Sequence, residues 1–221
     1  MRTVLKHIVA NTYKPLLVKY LSKTRMYRYH DITIEIPPVV FHPGFFSSTQ
    51  LLLHYLTRFP LKNKRLLELG AGSGLIAIQA AKKEALVTAT DINTVAIEYL
   101  QRNSSQNNVG LEIIQSDLFA EIPRRSFDII AINPPYYKKQ PVTLRDFAWY
   151  CGEKGEFFSG LFSQLANYMH DKTEVIMVLC DGCDIKMIES AAGGNGFILK
   201  LMLTKQNMLE KNFIYKIEKK E

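Results

Sequence analysis

The stretch that most constrains this chain is Leu66-Leu67-Glu68-Leu69-Gly70-Ala71-Gly72-Ser73-Gly74, followed at once by Leu75, Ile76, Ile78, Ala80 and Ala81. An apolar run of strand length that empties into three alternating glycines and then an apolar, alanine-rich segment predicts a buried strand, a tight loop and a helix packed on a sheet. Glycines let backbone approach a ligand where a Cβ would collide, and the N–H groups of a first helical turn face that ligand. Glycines also mark ordinary turns, so the surroundings must decide. A second apolar strand, Leu86 to Thr90, ends in Asp91, where an acid can accept hydrogen bonds from ribose hydroxyls.

Two nucleoside cofactors suit this layout, a nicotinamide dinucleotide and S-adenosylmethionine, and the loop chemistry separates them. A dinucleotide fingerprint needs its third glycine where Leu75 stands. Glu68 would repel a pyrophosphate, but it could pair with the ammonium of a methionine moiety directly or through water. S-adenosylmethionine is therefore the expected cofactor.

Strands are expected at Arg65 to Leu69, Leu86 to Thr90, Leu111 to Gln115, Phe127 to Ile132 and Glu174 to Cys180, with helices between most of them. This alternation implies a mostly parallel sheet. Phe197 to Leu203 and Asn212 to Ile217 follow each other without a helix and should pair antiparallel. The expected fold is an α/β, Rossmann-like sheet of seven strands with helices on both faces. Ahead of it, the spacing predicts two short helices over residues 2 to 23 and a hairpin in which Ile32, Ile34 and Ile36 share one face. The expected division is a basic arm and hairpin, 1–38, and a catalytic domain, 39–221.

The net charge of +7 is concentrated at one end. Residues 1 to 30 carry Arg2, Lys6, Lys14, Lys19, Lys23, Arg25 and Arg28 with no acid, so the remainder of the chain is neutral. Such an arm is either a solvated helix face or a contact for an anionic partner such as RNA, a ribosome or an acidic protein. No apolar run reaches membrane-spanning length, and the basic residues interrupt any signal-like core, so a cytoplasmic protein without membrane contact is expected. The three cysteines, Cys151, Cys180 and Cys183, are too few for a disulfide framework, and Cys180-x-x-Cys183 lacks the further ligands of a structural zinc site. No metal is expected. His42, beside a proline turn, reads as structural.

The chemical stretch is Asn133-Pro134-Pro135-Tyr136, at the end of the fourth strand and hence at the same sheet edge as the glycine loop. An amide or aromatic amine is a poor nucleophile because its lone pair is delocalised. Acceptors on its two N–H groups draw the nitrogen toward tetrahedral geometry. The Asn133 side-chain oxygen and the Pro134 carbonyl can supply them, while Tyr136 is expected to stack on the planar group and the prolines stiffen the loop.

With these residues in place, the chain resembles class I S-adenosylmethionine-dependent methyltransferases over roughly residues 39 to 217. Its Asn-Pro-Pro-Tyr tetrad is similar to that of the HemK-like and N6-adenine methyltransferases. The resemblance implies that Glu68, Gly70, Gly72 and Gly74 form the cofactor loop, Asp91 the ribose ligand, Asp117 and Leu118 the adenine contacts, and Asn133, Pro134, Pro135 and Tyr136 the catalytic loop.

Two acceptors fit. Lys138, Lys139, Arg145, Phe147, Trp149 and Tyr150 form a basic and aromatic stretch suited to a flipped adenine of RNA or DNA, although such mixtures also bind peptides. The run from Ala148 to Phe157 resembles the glycine-containing segment after the tetrad in HemK-like enzymes, whose acceptor is a release-factor glutamine, and this tilts the expectation toward protein. The chain departs from bacterial members in having a short arm where they carry a larger helical domain. A non-catalytic cofactor-binding adaptor for RNA or the ribosome is the reading from outside enzymology, and the intact tetrad speaks against it.

Overall fold

A computed structural model describes residues 19–207 and 210–220. The first predicted helix and most of the second lie outside the described residues. The chain then runs β1 (Arg25–Tyr29), β2 (Ile32–Ile36), α1 (Ser47–Leu56), β3 (Arg65–Leu69), α2 (Leu75–Lys82), β4 (Leu86–Asp91), α3 (Thr94–Gln106), β5 (Glu112–Gln115), β6 (Phe127–Ile132), α4 (Glu156–Leu165), β7 (Met169–Cys180), α5 (Ile185–Gly194), β8 (Phe197–Gln206) and β9 (Lys211–Lys219).

Strands β3 to β9 form one sheet in the order β5-β4-β3-β6-β7-β9-β8. Strands β5, β4, β3, β6 and β7 are parallel, and β9 is antiparallel to both of its neighbours. The expected mostly parallel, seven-stranded sheet is present. Strand β7 starts earlier than the apolar pattern indicated, because the polar residues from His170 to Thr173 carry no apolar alternation. Thr173 nonetheless ties that segment to the sheet, its hydroxyl donating to the Phe127 carbonyl at 2.7 Å.

Side chains that alternate along a strand point to opposite faces. Leu66, Ile129, Ala131, Ile176 and Val178 enter one core with α1, α2 and Leu100 of α3, whereas Leu67, Ile130, Ile132, Val175 and Met177 enter a second core with α4 and α5. The near-continuous apolar strands are thus the consequence of a sheet covered on both faces.

The β1–β2 hairpin is antiparallel and places Ile32, Ile34 and Ile36 inside the first core. Its outer edge is closed by two amides, Asn103 of α3 and Asn107, which caps the C-terminus of that helix. Asn103 accepts from the Glu35 N–H at 2.8 Å and donates to the Glu35 carbonyl at 2.9 Å. Asn107 accepts from the Thr33 N–H at 3.1 Å and donates to the Thr33 carbonyl at 2.7 Å. Four residues of helix rise about 6 Å, close to the two-residue repeat of a strand, so an i,i+4 asparagine pair can mimic a neighbouring strand. Asn103 also donates to the Ser73 carbonyl at 2.9 Å, joining the hairpin to the glycine loop.

Replacing Asn103 with alanine would leave buried peptide groups at Glu35 and Ser73 without partners. The expected cost is about 2–4 kcal/mol, read as a lower urea midpoint at an unchanged m-value. Asn107→Ala, whose contacts are confined to Thr33 and Asn103, should cost less.

Candidate functional site

The C-terminal ends of β3, β4, β5 and β6 converge on a cavity of about 520 Å³. Its floor is the loop after β3. Gly70, Gly72 and Gly74 all have positive φ, at 70°, 54° and 84°. A side chain at Gly74 would also collide, since its Cβ would stand 2.2 Å from Leu100 Cδ1. Gly74 serves as the left-handed N-cap of α2.

The loop is locked to its neighbours by backbone and carboxylate bonds. The Ala71 N–H donates to the Thr90 carbonyl at 2.8 Å, and the Ser116 N–H donates to the Asp91 carbonyl at 3.0 Å. Asp91 accepts from the Gly72 N–H at 2.8 Å with one oxygen and from the Asn93 N–H at 2.9 Å with the other. Each oxygen retains a further lone pair for a ligand hydroxyl. Burial raises the Asp91 pKa against these two bonds.

Glu68 is buried at the end of β3, where its Oε2 accepts from the Ala77 N–H of α2 at 2.7 Å. Burial pushes its pKa up to about 8, with Asp91 adding to the rise and the Ala77 N–H opposing it. Burial of this kind favours the neutral acid over the carboxylate near pH 7. A ligand cation placed beside it would draw the proton off.

Across the cavity, Asn133 follows β6 directly. Its Nδ2 donates to Thr49 Oγ1 at 3.1 Å, and its Oδ1 accepts from the Tyr136 hydroxyl. Tyr136 is 7% exposed, with burial holding its phenol pKa well above the usual value. The ring expected to stack on an acceptor is thus largely enclosed, and its hydroxyl serves Asn133. The Tyr136 and Tyr137 N–H groups both donate to the Trp149 carbonyl, at 3.0 and 2.8 Å. Tyr137 forms a short bridge with Tyr150, and of the basic and aromatic segment Phe147 and Tyr150 line the cavity whereas Lys138, Lys139, Arg145 and Trp149 do not. Lys139 lies 4.8 Å from the centre of the Tyr150 ring, while Lys138 pairs with Asp184.

Glu68, Gly70, Gly72, Asp91, Asp117, Leu118, Asn133, Pro134, Pro135 and Tyr136 all line this cavity; Gly74 does not. Asp117 is exposed, and Leu118 adopts a positive φ of 49°. The role of Thr49 of α1 had no signal in the sequence, and Trp149, expected in the acceptor-facing stretch, packs instead against the Phe41 and Phe46 rings. His42 accepts from the Gly44 N–H through Nδ1 between the Tyr27 and Phe45 rings, a structural position in which burial lowers its pKa. The Cys180 and Cys183 sulfurs lie 3.8 Å apart. Among the described residues no cluster of three or more histidine, cysteine or acidic side chains could hold a metal, and no helix is long and apolar enough to cross a membrane.

A family model described as the methyltransferase small domain matches residues 32–149. A protein of Methanocaldococcus jannaschii, provisionally named a protein N5-glutamine methyltransferase, is 35% identical over 154 residues, 67% of this chain and 75% of its own length. Ribosomal RNA small subunit methyltransferase C of Haemophilus influenzae is 31% identical over 143 residues, 58% of this chain but 42% of the longer relative. Among solved structures, an E. cuniculi methyltransferase complex that methylates a translation termination factor superposes with a TM-score of 0.63 at 22% identity, covering 82% of this chain and 99% of that one. The T. thermophilus 16S rRNA guanine-N2 methyltransferase gives a TM-score of 0.63 at 20% identity, covering 88% of this chain and 50% of that one. At these identities the superpositions speak to the fold.

The Glu68 environment predicts a pH-dependent stability. Its folded pKa of about 8 lies above the ordinary 4.5, so the folded protein keeps a proton that the unfolded chain has lost across that window. Stability contributed this way is full below the lower value and falls as pH rises toward the upper one. Glu68→Gln, which cannot ionise, should gain thermal stability relative to the parent between pH 5 and pH 9, by about a few degrees. An equal difference between the two proteins at both pH values would refute the assignment.

Proposed function

The chain belongs to the methyltransferase small-domain family, as an S-adenosylmethionine-dependent methyltransferase, and from that premise we propose that its acceptor is a planar nitrogen, the side-chain amide of a protein glutamine. The observation that carries this reading is the presence of Asn133 and Pro134 in the same cavity as the glycine loop. The M. jannaschii relative supports the choice of a glutamine.

The cavity suits the cofactor in size and in donor set: a left-handed glycine loop, a buried carboxyl and a second carboxylate with lone pairs to spare. Glu68, Gly70 and Gly72 would hold the methionine end, Asp91 the ribose hydroxyls, and Asp117 with Leu118 the adenine; Gly74 would act indirectly, by letting Leu100 of α3 pack against the start of α2. Bound there, the cofactor supplies an electrophilic methyl group on a sulfonium.

The protein's own contribution is to present the nitrogen. Asn133 Oδ1 has a lone pair beyond the one taken by Tyr136, and the Pro134 carbonyl offers another acceptor. Together they would hold both hydrogens of an NH₂ group, turning its lone pair toward the methyl. Tyr136 stays protonated across neutral pH, so it remains a donor to Asn133 and keeps that oxygen oriented. An asparagine cannot serve as a base at neutral pH, so the proton leaves after methyl transfer.

The exocyclic amine of an RNA base is the second reading. It is favoured by the similarity to a ribosomal RNA methyltransferase and by Lys139 lying over the ring of the cavity-lining Tyr150. An adenine N6 amine presents the same planar NH₂ group to Asn133 and Pro134. The basic arm ahead of residue 39 would add phosphate contacts in that case and acidic-protein contacts in the first.

The deciding experiment incubates the protein with methyl-labelled S-adenosylmethionine and extract of its own organism, followed by protease or nuclease. Label released by protease and recovered as methylglutamine supports the glutamine reading; label released by nuclease overturns it in favour of a base. Asn133→Ala should lose at least about a hundredfold in turnover while its cofactor affinity, by titration calorimetry, stays within about twofold. A parallel loss of binding would remove Asn133 from the catalytic role.

A further inference from the structure

We propose that Thr49 is a positioning residue that sets the orientation of the Asn133 side-chain amide; the inference rests on the reading of Asn133 as the group that holds the acceptor nitrogen. An asparagine amide is nearly symmetric in shape, and only its hydrogen bonds decide which end faces the acceptor. Here Nδ2 donates to Thr49 Oγ1 at 3.1 Å and Oδ1 accepts from the Tyr136 hydroxyl. A half-turn of the amide would present its N–H groups to the acceptor nitrogen, donor against donor. The Thr49 hydroxyl, accepting from Nδ2 while the Tyr136 hydroxyl donates to Oδ1, completes a pair of bonds that holds the donor end against α1 and leaves the second lone pair of the oxygen for the cavity.

The position of Thr49 is itself fixed. It is buried in the first turn of α1 and lines the cavity. Two residues earlier, Ser47 gives its N–H to Glu210 Oε1 at 2.9 Å and its hydroxyl to the same oxygen. Asn212 donates to Ser47 Oγ at 2.7 Å, so α1 begins on an anchored residue. A carboxylate at the start of a helix is also favoured by the helix dipole. The acceptor oxygen of Thr49 thus rests on a braced helix end, with little freedom to follow a rotating amide.

Thr49→Val keeps the shape and deletes the hydroxyl, and Thr49→Ser restores the hydroxyl alone. The first readout needs no acceptor: the Asn133 side-chain NH₂ resonances in a nitrogen-15 NMR spectrum, identified by their loss in Asn133→Ala. In Thr49→Val they should shift and exchange with water several-fold faster, and in Thr49→Ser they should return toward the parent. The second readout is methyl transfer to the protein fraction of the extract, with kcat lowered about tenfold in Thr49→Val at a cofactor Kd within about twofold of the parent, and recovered in Thr49→Ser. Thr49→Ala gives the same test if valine is not accommodated. Unchanged Asn133 resonances in the variant lacking the hydroxyl overturn the proposal, as does a serine variant as slow as the valine one. Absence of transfer by the parent protein would count against the glutamine acceptor, while the NMR readout would still decide the role of Thr49.

Discussion

The site depends on a reversal in the winding of the sheet. From β3 the chain steps outward through β4 to β5, then returns to place β6 on the opposite side of β3. The crossovers on either side of that point diverge, and a crevice opens where no connection covers the strand ends. Ligands bind at such a point in open α/β sheets because the diverging loops leave room between them while their backbone N–H groups still face the crevice. In this chain the two strands that flank the reversal carry the two chemical loops, Gly70 to Gly74 after β3 and Asn133 to Tyr136 after β6. Their register, Leu69 opposite Ile132, brings both loops to the edge at the same level.

A crevice needs walls that do not collapse into it. Three left-handed glycines in five residues would make a loose loop in isolation. What stiffens it is a set of bonds from neighbouring elements: Thr90 to Ala71, Asp91 to Gly72, and Asn103 to Ser73. Asn103 is the most economical of these, since one side chain closes the hairpin edge and fastens the glycine loop. The hairpin is therefore fastened to the glycine-loop side of the cavity through this one side chain.

Much of this was legible in contiguous sequence, because the features are local. Apolar runs too short for helices, glycines at a strand end, an acid at the next strand end and the Asn-Pro-Pro-Tyr turn each declare their conformation within a few residues. What was not legible acts through space. Thr49 stands 84 positions before Asn133 and is one more threonine in an apolar helix until the sheet brings them together. Asn103 and Asn107 read as ordinary polar residues of α3 and its C-terminal cap, and only the hairpin lying beside them gives their i,i+4 spacing a use. Tyr136 was legible as an aromatic of the tetrad, yet its enclosure follows from the segment around Trp149, whose carbonyl pins the loop from outside. The order of the final strands was hidden for a similar reason: antiparallel pairing of β8 with β9 is a local inference, whereas the insertion of β9 beside β7 depends on the whole sheet edge.

That insertion has a consequence for the chemistry. Because β9 is antiparallel to both β7 and β8, strand β8 ends at the same edge as β3, β4, β6 and β7. The connection from β8 to β9 is therefore delivered to the cavity edge of the sheet, and with it Glu210 and Asn212. These are the residues that grip Ser47 at the start of α1. Insertion of β9 directly beside β7 also sets β9 against α1, which packs on both strands, so the connection that enters β9 arrives next to the start of that helix. The antiparallel strand that looks like an appendage to a parallel sheet is the element that braces the helix beneath Asn133.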